Sequence, residues 1–175
     1  MTADSSIYAS ERAAKAYAFT RPPVHRHLIA RLPRYLSRPG PVAAALDIGC
    51  GAGMSTAALA LLAKRTVGLE PQRPMLMHSG RVAPAAAFCV GRAEALPFAD
   101  ASFDHAFTVT VLEECDADLA MRELLRVIRP GGRAGVIVRS IDMPQWWNLN
   151  LPAEIAAKVT VPPQSVGGSG VADAS

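Results

Sequence analysis

The sequence predicts an α/β fold built on a mostly parallel sheet covered by helices, and three observations carry that expectation. From Val42 onward, short apolar runs alternate with helix-like stretches. The runs are apolar at consecutive positions, as strands buried on both faces are. A glycine-rich turn, Gly49-Cys-Gly51-Ala-Gly53, stands where the first run gives way to a helix, the junction at which open α/β sheets bind ligands. The chain has 175 residues, half of them hydrophobic and 19% charged. That is enough for one domain with a real core, and it excludes a disordered chain.

An alanine-rich helix is expected over residues 6–19. After Arg21-Pro22-Pro23 a second helix starts with proline at its entry, where the missing N–H costs nothing. Along it Val24, Leu28, Leu32 and Tyr35 form one apolar stripe, and Pro39-Gly40-Pro41 ends it. The first strand is expected over 42–48, a helix over 55–64 and a second strand over 66–70. A helix over 71–82, a third strand over 86–90 and a fourth over 103–111 follow, the fourth entered through the turn Ala99-Asp-Ala-Ser102. An amphipathic helix over 116–129 is expected to bury Met121, Leu124, Leu125 and Ile128 and to expose Arg122, Glu123, Arg126 and Arg129. Pro130-Gly131-Gly132 then leads into a fifth strand over 133–139. Beyond Ser140 the alternation stops. Trp146-Trp147, Pro162-Pro163 and Gly167-Gly-Ser-Gly170 read as a lid or insertion followed by flexible chain.

Charge and special residues narrow the function classes. Residues 1–40 hold seven Arg and Lys against Asp4 and Glu11, a balance of +5, and the remainder is at −2. The basic residues lie at helical intervals without interleaved aromatics, so they read as a solvated face and not as a nucleic-acid surface. No apolar run reaches the ~18 residues of a membrane span, and the first residues show no secretory signal. A soluble, cytoplasmic protein is the expectation. Cys50, Cys89 and Cys115 lie far apart without a Cys-x-x-Cys pair, and His25 and His27 fall on different helix faces, so no metal site is expected.

The glycine loop carries the chemistry. Glycines there let the backbone turn tightly and approach a ligand, and the following helix presents free N–H groups. Glu70 closes the second strand, 21 positions after Gly49, where a carboxylate can accept both hydroxyls of a ribose. A dinucleotide fingerprint would want a small residue at position 54, but that residue is Met54. The loop therefore favours a cofactor with no pyrophosphate.

With these residues the sequence resembles the class I S-adenosylmethionine-dependent methyltransferases, specifically the type 11 methyltransferase domain. The resemblance spans about residues 8–138. It rests on Tyr17 with Arg21-Pro22, Leu46-Asp-Ile-Gly-Cys-Gly-Ala-Gly53, Val67-Gly-Leu-Glu-Pro71 and Gly91-Arg-Ala-Glu-Ala-Leu-Pro-Phe98. Ser102-Phe-Asp104 and Arg122-Glu-Leu-Leu-Arg-Val-Ile-Arg-Pro-Gly-Gly132 complete it. It implies a Rossmann-like three-layer sandwich and S-adenosyl-L-methionine as cofactor. Asp47 and the glycines Gly49, Gly51 and Gly53 would hold the methionyl end, and Glu70 the ribose. Pro71 would pack on the adenine, and Ala93 and Glu94 would meet its edge. Val109, beside Thr108, would lie near the sulfonium, while Tyr17 and Arg21 would cover the cofactor. Arg92 stands where the family often has Asp and cannot accept a bond from the adenine amino group, which leaves that role to Glu94 or a carbonyl.

Methyl transfer from a sulfonium is an in-line displacement, so the protein must align two partners and exclude water. Glu113, with Glu114 at the carboxyl end of the fourth strand, could orient an acceptor or take its proton. The alternative is that both simply begin the next helix, where negative charge suits the dipole. His105 would be structural. Thr108-Val-Thr-Val111 is not the Asn/Asp-Pro-Pro-aromatic box of enzymes that methylate DNA bases or glutamine. The leading expectation is methyl transfer to a small molecule. The rivals are a cofactor-binding or interaction protein without turnover and, more remotely, an NAD-dependent oxidoreductase.

By the same resemblance residues 1–140 form a cofactor-binding domain with an N-terminal helical cap, and 141–175 a lid segment and tail. The family's sheet continues after strand five with a two-stranded hairpin, for which the 36 residues after Arg139 offer only Val159 to Val161. The sheet is thus expected to lack its last two strands. Strand five would be an open edge, and the chain would either form a homodimer through it or be a fragment of a longer enzyme.

Overall fold

The structure, a computed structural model, describes residues 10–20 and 42–138. The expected second helix, the tryptophan pair and the tail lie outside the described residues. A parallel sheet of five strands forms the centre: β1 (Val42–Ile48), β2 (Ala63–Glu70), β3 (Ala87–Val90), β4 (Phe103–Val109) and β5 (Ile128–Ile137), in the order β3-β2-β1-β4-β5. The helices are α1 (Glu11–Thr20), α2 (Met54–Leu59), α3 (Arg73–Leu76), α4 (Ser79–Val82) and α5 (Ala117–Val127), with a 3-10 turn at Leu112–Glu114. The expected parallel α/β architecture is what the chain adopts. The strand order reverses between β1 and β4, and that reversal opens a crevice at their carboxyl ends.

β1 is buried along Ala44 to Ile48 because it pairs on both sides, Ile48 opposite Leu69 on β2 and opposite Thr108 on β4. Its apolar side chains Leu46 and Ile48 join Leu69, Phe103, Ala106, Ala120, Leu124 and Val127 in the main core. A smaller cluster seats α1 through Ala14 and Ala18 on Ala52 and Met75, beside the glycine loop.

Four details differ from the sequence expectation, each for a visible reason. α2 stops at Leu59 and β2 begins already at Ala63, because Ala63 pairs with Val42 at the start of β1. The helix expected over 71–82 is two short ones, α3 and α4, and the Ser79 hydroxyl bonds the Leu76 carbonyl at 2.8 Å between them. β4 ends at Val109 instead of 111, since Thr110 takes a positive φ of 55°. α5 gives way directly to β5 at Ile128, which pairs with Phe103; the register shift between Phe103 and His105 absorbs the Pro130-Gly131-Gly132 stretch.

The faces of α5 also differ from the expected ones. Ala120, Leu124 and Val127 are buried, whereas Leu125 is 60% exposed. Glu123 and Arg126, expected on the wet face, are half-buried beneath the chain that links β3 to β4. His105 packs edge-on against Phe107 within β4 and is buried, as a structural residue is.

Candidate functional site: the glycine loop and the carboxyl edge of the sheet

Residues 49–53 leave β1 and turn across the end of β2. Gly49 and Gly51 take φ of 70° and 54°, the left-handed region that a side chain disfavours. A Cβ on Gly49 would also collide with the Val111 side chain, which arrives from the end of β4. The Gly49 and Cys50 N–H groups both donate to the Leu69 carbonyl, at 2.8 and 3.0 Å. Gly53 carries a φ of 92° and opens α2. Tyr17 of α1 stands over the loop, 3.7 Å from where a Gly51 Cβ would be.

Glu70 ends β2 under this loop. Its Oε2 accepts the Gly51 N–H at 3.0 Å and its Oε1 the Gln72 N–H at 3.0 Å. Only 7% of the residue is exposed. Burial pushes its pKa up, the two backbone donors pull against that shift, and nearby Glu114 adds to it. Asp47 lies lower, fully buried, with Oδ2 accepting the Ser55 hydroxyl at 2.7 Å and the Thr56 hydroxyl at 2.6 Å. Desolvation raises its pKa to about 6 against the two hydroxyl donors, and Glu70 adds to the rise. Asp47 thus ties the first turn of α2 to the end of β1. Cys50 is buried as well, and desolvation beside Asp47 and Glu70 pushes its thiol up, so it packs as a neutral group.

The stretch after β3 forms the other wall. Ala93 is buried in the main core, and Glu94 is half-buried, its Oε1 accepting Arg92 Nη2 at 2.9 Å and the Asp116 N–H at 3.5 Å. Burial works against ionisation of Glu94, but its own backbone N–H and the Arg92 guanidinium hold its pKa below the usual range. The departure at Arg92 is therefore taken up locally: its charge turns onto Glu94. Val109 is buried at the end of β4, Pro71 is exposed just past Glu70, and Glu113 is exposed on the 3-10 turn.

The fold thus gathers Tyr17, Gly49, Gly51, Glu70 and Val111 through contacts, and a hydrogen bond ties Glu94 to the start of α5. Arg21 lies outside the described residues. Sequence reasoning missed Ser55 and Thr56, although two hydroxyls in the first turn of the helix after the loop are a readable signal. It also missed Val111, which no local pattern marks.

Residues 46–136, more than half of the chain, match the family described as Methyltransferase domain. The chain belongs to this methyltransferase family. It is 38% identical over 98 residues to the malonyl-[acyl-carrier protein] O-methyltransferase of Erwinia pyrifoliae, covering 55% of this chain and 37% of that protein. It is 38% identical over 103 residues to the demethylmenaquinone methyltransferase of Beutenbergia cavernae, covering 58% of this chain and 42% of that one. The chain therefore spans less than half the length of these relatives. Among solved structures, a SAM-dependent methyltransferase of Thermotoga maritima superposes with a TM-score of 0.56 at 25% identity, over 72% of this chain and 58% of that one.

The cofactor of this methyltransferase domain is S-adenosyl-L-methionine, and the residues present fit it. A carboxylate oxygen has two lone pairs, and the Gly51 and Gln72 N–H groups take one on each oxygen of Glu70. That leaves one acceptor position on each oxygen for a pair of hydroxyls. Among the described residues no cluster of His, Cys, Asp and Glu has the geometry to hold a metal ion, and no described helix is long and apolar enough to cross a membrane.

Proposed function

We propose that this methyltransferase domain transfers the methyl group of S-adenosyl-L-methionine to a small-molecule acceptor in the cytoplasm by in-line displacement. The observation that carries the reading is the buried Glu70 carboxylate, tied to the glycine loop through Gly51 with an acceptor position open on each oxygen. S-adenosyl-L-methionine supplies an electrophilic methyl group on a sulfonium. Glu70 would accept the ribose hydroxyls, and the loop over Gly49, Gly51 and Gly53, held from below by Asp47, would seat the methionyl end. Pro71 would lie on the adenine face, with Ala93 and Glu94 at the adenine edge and Val109 beside the reacting centre. Tyr17 of α1, together with Arg21, would close the site from above and exclude water. Residues 1–140 are then the cofactor domain with its helical cap, and 141–175 the lid segment.

Glu113 is our choice for the residue that orients the acceptor or takes its proton, since it stands exposed at the carboxyl end of β4. The two relatives are named for a malonyl-[acyl-carrier protein] and a demethylmenaquinone. Demethylmenaquinone is a small molecule and malonyl-[acyl-carrier protein] presents a small acyl group on a carrier protein; neither name is a nucleic acid, which supports a small acceptor group.

Calorimetric titration with S-adenosylhomocysteine tests the cofactor reading: binding is expected, and NAD should give no heat. If NAD binds and S-adenosylhomocysteine does not, the oxidoreductase rival replaces this reading. A second copy of the chain is our proposed partner at β5, whose outer edge has no strand beside it among the described residues. Val136 on this strand is 40% exposed, and Val138 just past its end 54%. Sedimentation equilibrium should show a dimer. A monomer at all concentrations, with the β5 amides protected from exchange, refutes this partner.

A further inference from the structure

The stretch between Gly91 and Ser102 has no regular secondary structure apart from one isolated bridge between Arg92 and Ala95, so its shape is set by what holds it. At one end Glu94 receives the Asp116 N–H from the start of α5. At the other end stands Arg126, near the last turn of α5, with every one of its guanidinium donors engaged. Nε and Nη2 donate to the two oxygens of Glu123, each at 2.7 Å. Nη1 donates to the Phe98 carbonyl at 2.8 Å and to Asp100 Oδ1 at 2.7 Å, and Nη2 also reaches the Leu96 carbonyl at 3.1 Å. An arginine has five N–H donors in a fixed plane, and these five bonds use them all. Glu123 Oε2 in turn accepts the Leu96 N–H at 2.7 Å, and the Ala101 N–H donates to the Arg126 carbonyl at 3.0 Å.

This is more than a surface ion pair. Glu123 and Arg126 are half-buried, and together they satisfy three backbone groups of the link, so they fasten it to the helix. A lysine could not reproduce it, because a point charge with three donors cannot fork onto Glu123 while reaching two carbonyls.

We propose that Glu123 and Arg126 are positioning residues for the adenine end of the cofactor site. They fix the Leu96 to Ala101 part of the link and thereby the placement of Ala93 and Glu94 a few residues before it. The proposal rests on reading Ala93 and Glu94 as the adenine edge. Neither Glu123 nor Arg126 touches the cofactor; both act through the link.

Calorimetry on the whole chain with S-adenosylhomocysteine and with its N6-methyl derivative tests this. The unaltered chain should bind the methylated compound about tenfold or more weakly, because a fixed wall rejects added bulk at that edge. In Arg126→Lys the parent compound should lose about tenfold in affinity, and the gap between the two ligands should narrow toward equality. Exchange of the Leu96 and Ala101 amides should quicken in the same variant while β1 and β2 stay protected. An unchanged affinity, or a loss that leaves the gap intact, overturns the positioning role and leaves a purely structural clamp. If the unaltered chain binds both compounds alike, the adenine-edge reading fails and the positioning role fails with it. Should Arg126→Lys not fold, Glu123→Gln, which keeps the side chain's size and removes its charge, goes through the same comparison with the same expected and overturning results.

Discussion

The Gly51 N–H donates to Glu70 Oε2 at 3.0 Å, joining the glycine loop after β1 to the last residue of β2. One carboxylate therefore shapes the loop and, in the proposed function, also meets the ribose. Glu70→Ala should lose both effects, lowering S-adenosylhomocysteine affinity by tenfold or more and lowering the melting temperature. Glu70→Gln keeps one accepting oxygen and should fall between. Calorimetry and thermal unfolding of the three proteins check this, and an Ala variant with unaltered affinity removes the ribose assignment.

Asp47 gives a pH prediction. Its carboxyl is fully buried and titrates near pH 6, raised from 3.8. The folded state thus holds this proton more tightly than the unfolded chain does. Stability from this group is highest below pH 4, falls as pH rises toward 6, and is constant above that, a loss of about 3 kcal/mol. Urea unfolding from pH 4 to 7 should show Asp47→Asn with a flatter profile than the unaltered chain across that window. Parallel profiles would count against the raised titration.

Gly49 and Val111 form a testable pair. Gly49→Ala meets two separate penalties, a positive φ and a Cβ that runs into the Val111 side chain. The φ alone should cost about 1 to 2 kcal/mol, and the contact should add to it. Val111→Ala placed in the Gly49→Ala background should recover the contact part and leave the φ part. Denaturant unfolding of the double-mutant cycle reads the coupling directly.

Leu124 and Leu125 are neighbours with opposite fates, 1% and 60% exposed. Leu124→Ala should destabilise the fold by about 2 to 5 kcal/mol, while Leu125→Ala should change it by less than about 0.5 kcal/mol. Urea midpoints compare the two. A large effect at Leu125 would mean that this helix surface is covered in solution.

The contrast between these two leucines shows what the sequence could and could not reveal. Periodicity marks both as apolar positions on a helix, but only the crossing of α5 over the sheet decides which of them meets the core. The charged positions on α5 follow the same logic. Glu123 and Arg126 look solvated from their own helix, yet besides each other their partners lie at Leu96, Phe98 and Asp100, more than twenty residues upstream. No local window contains both ends of these long-range bonds.

What the sequence alone determined was whatever a few adjacent residues dictate: the alternation that makes a parallel α/β fold, the glycines that alone tolerate the turn at the end of β1, and the acidic strand end at Glu70. Only the tertiary structure decided that Val111 closes on Gly49, that Asp47 turns beneath the loop onto Ser55 and Thr56, and that Arg126 holds the chain between β3 and β4. Backbone preference and the alternation of apolar and polar residues are local properties of the chain. Which buried donor meets which acceptor depends on the strand order β3-β2-β1-β4-β5, which brings distant segments to one edge of the sheet.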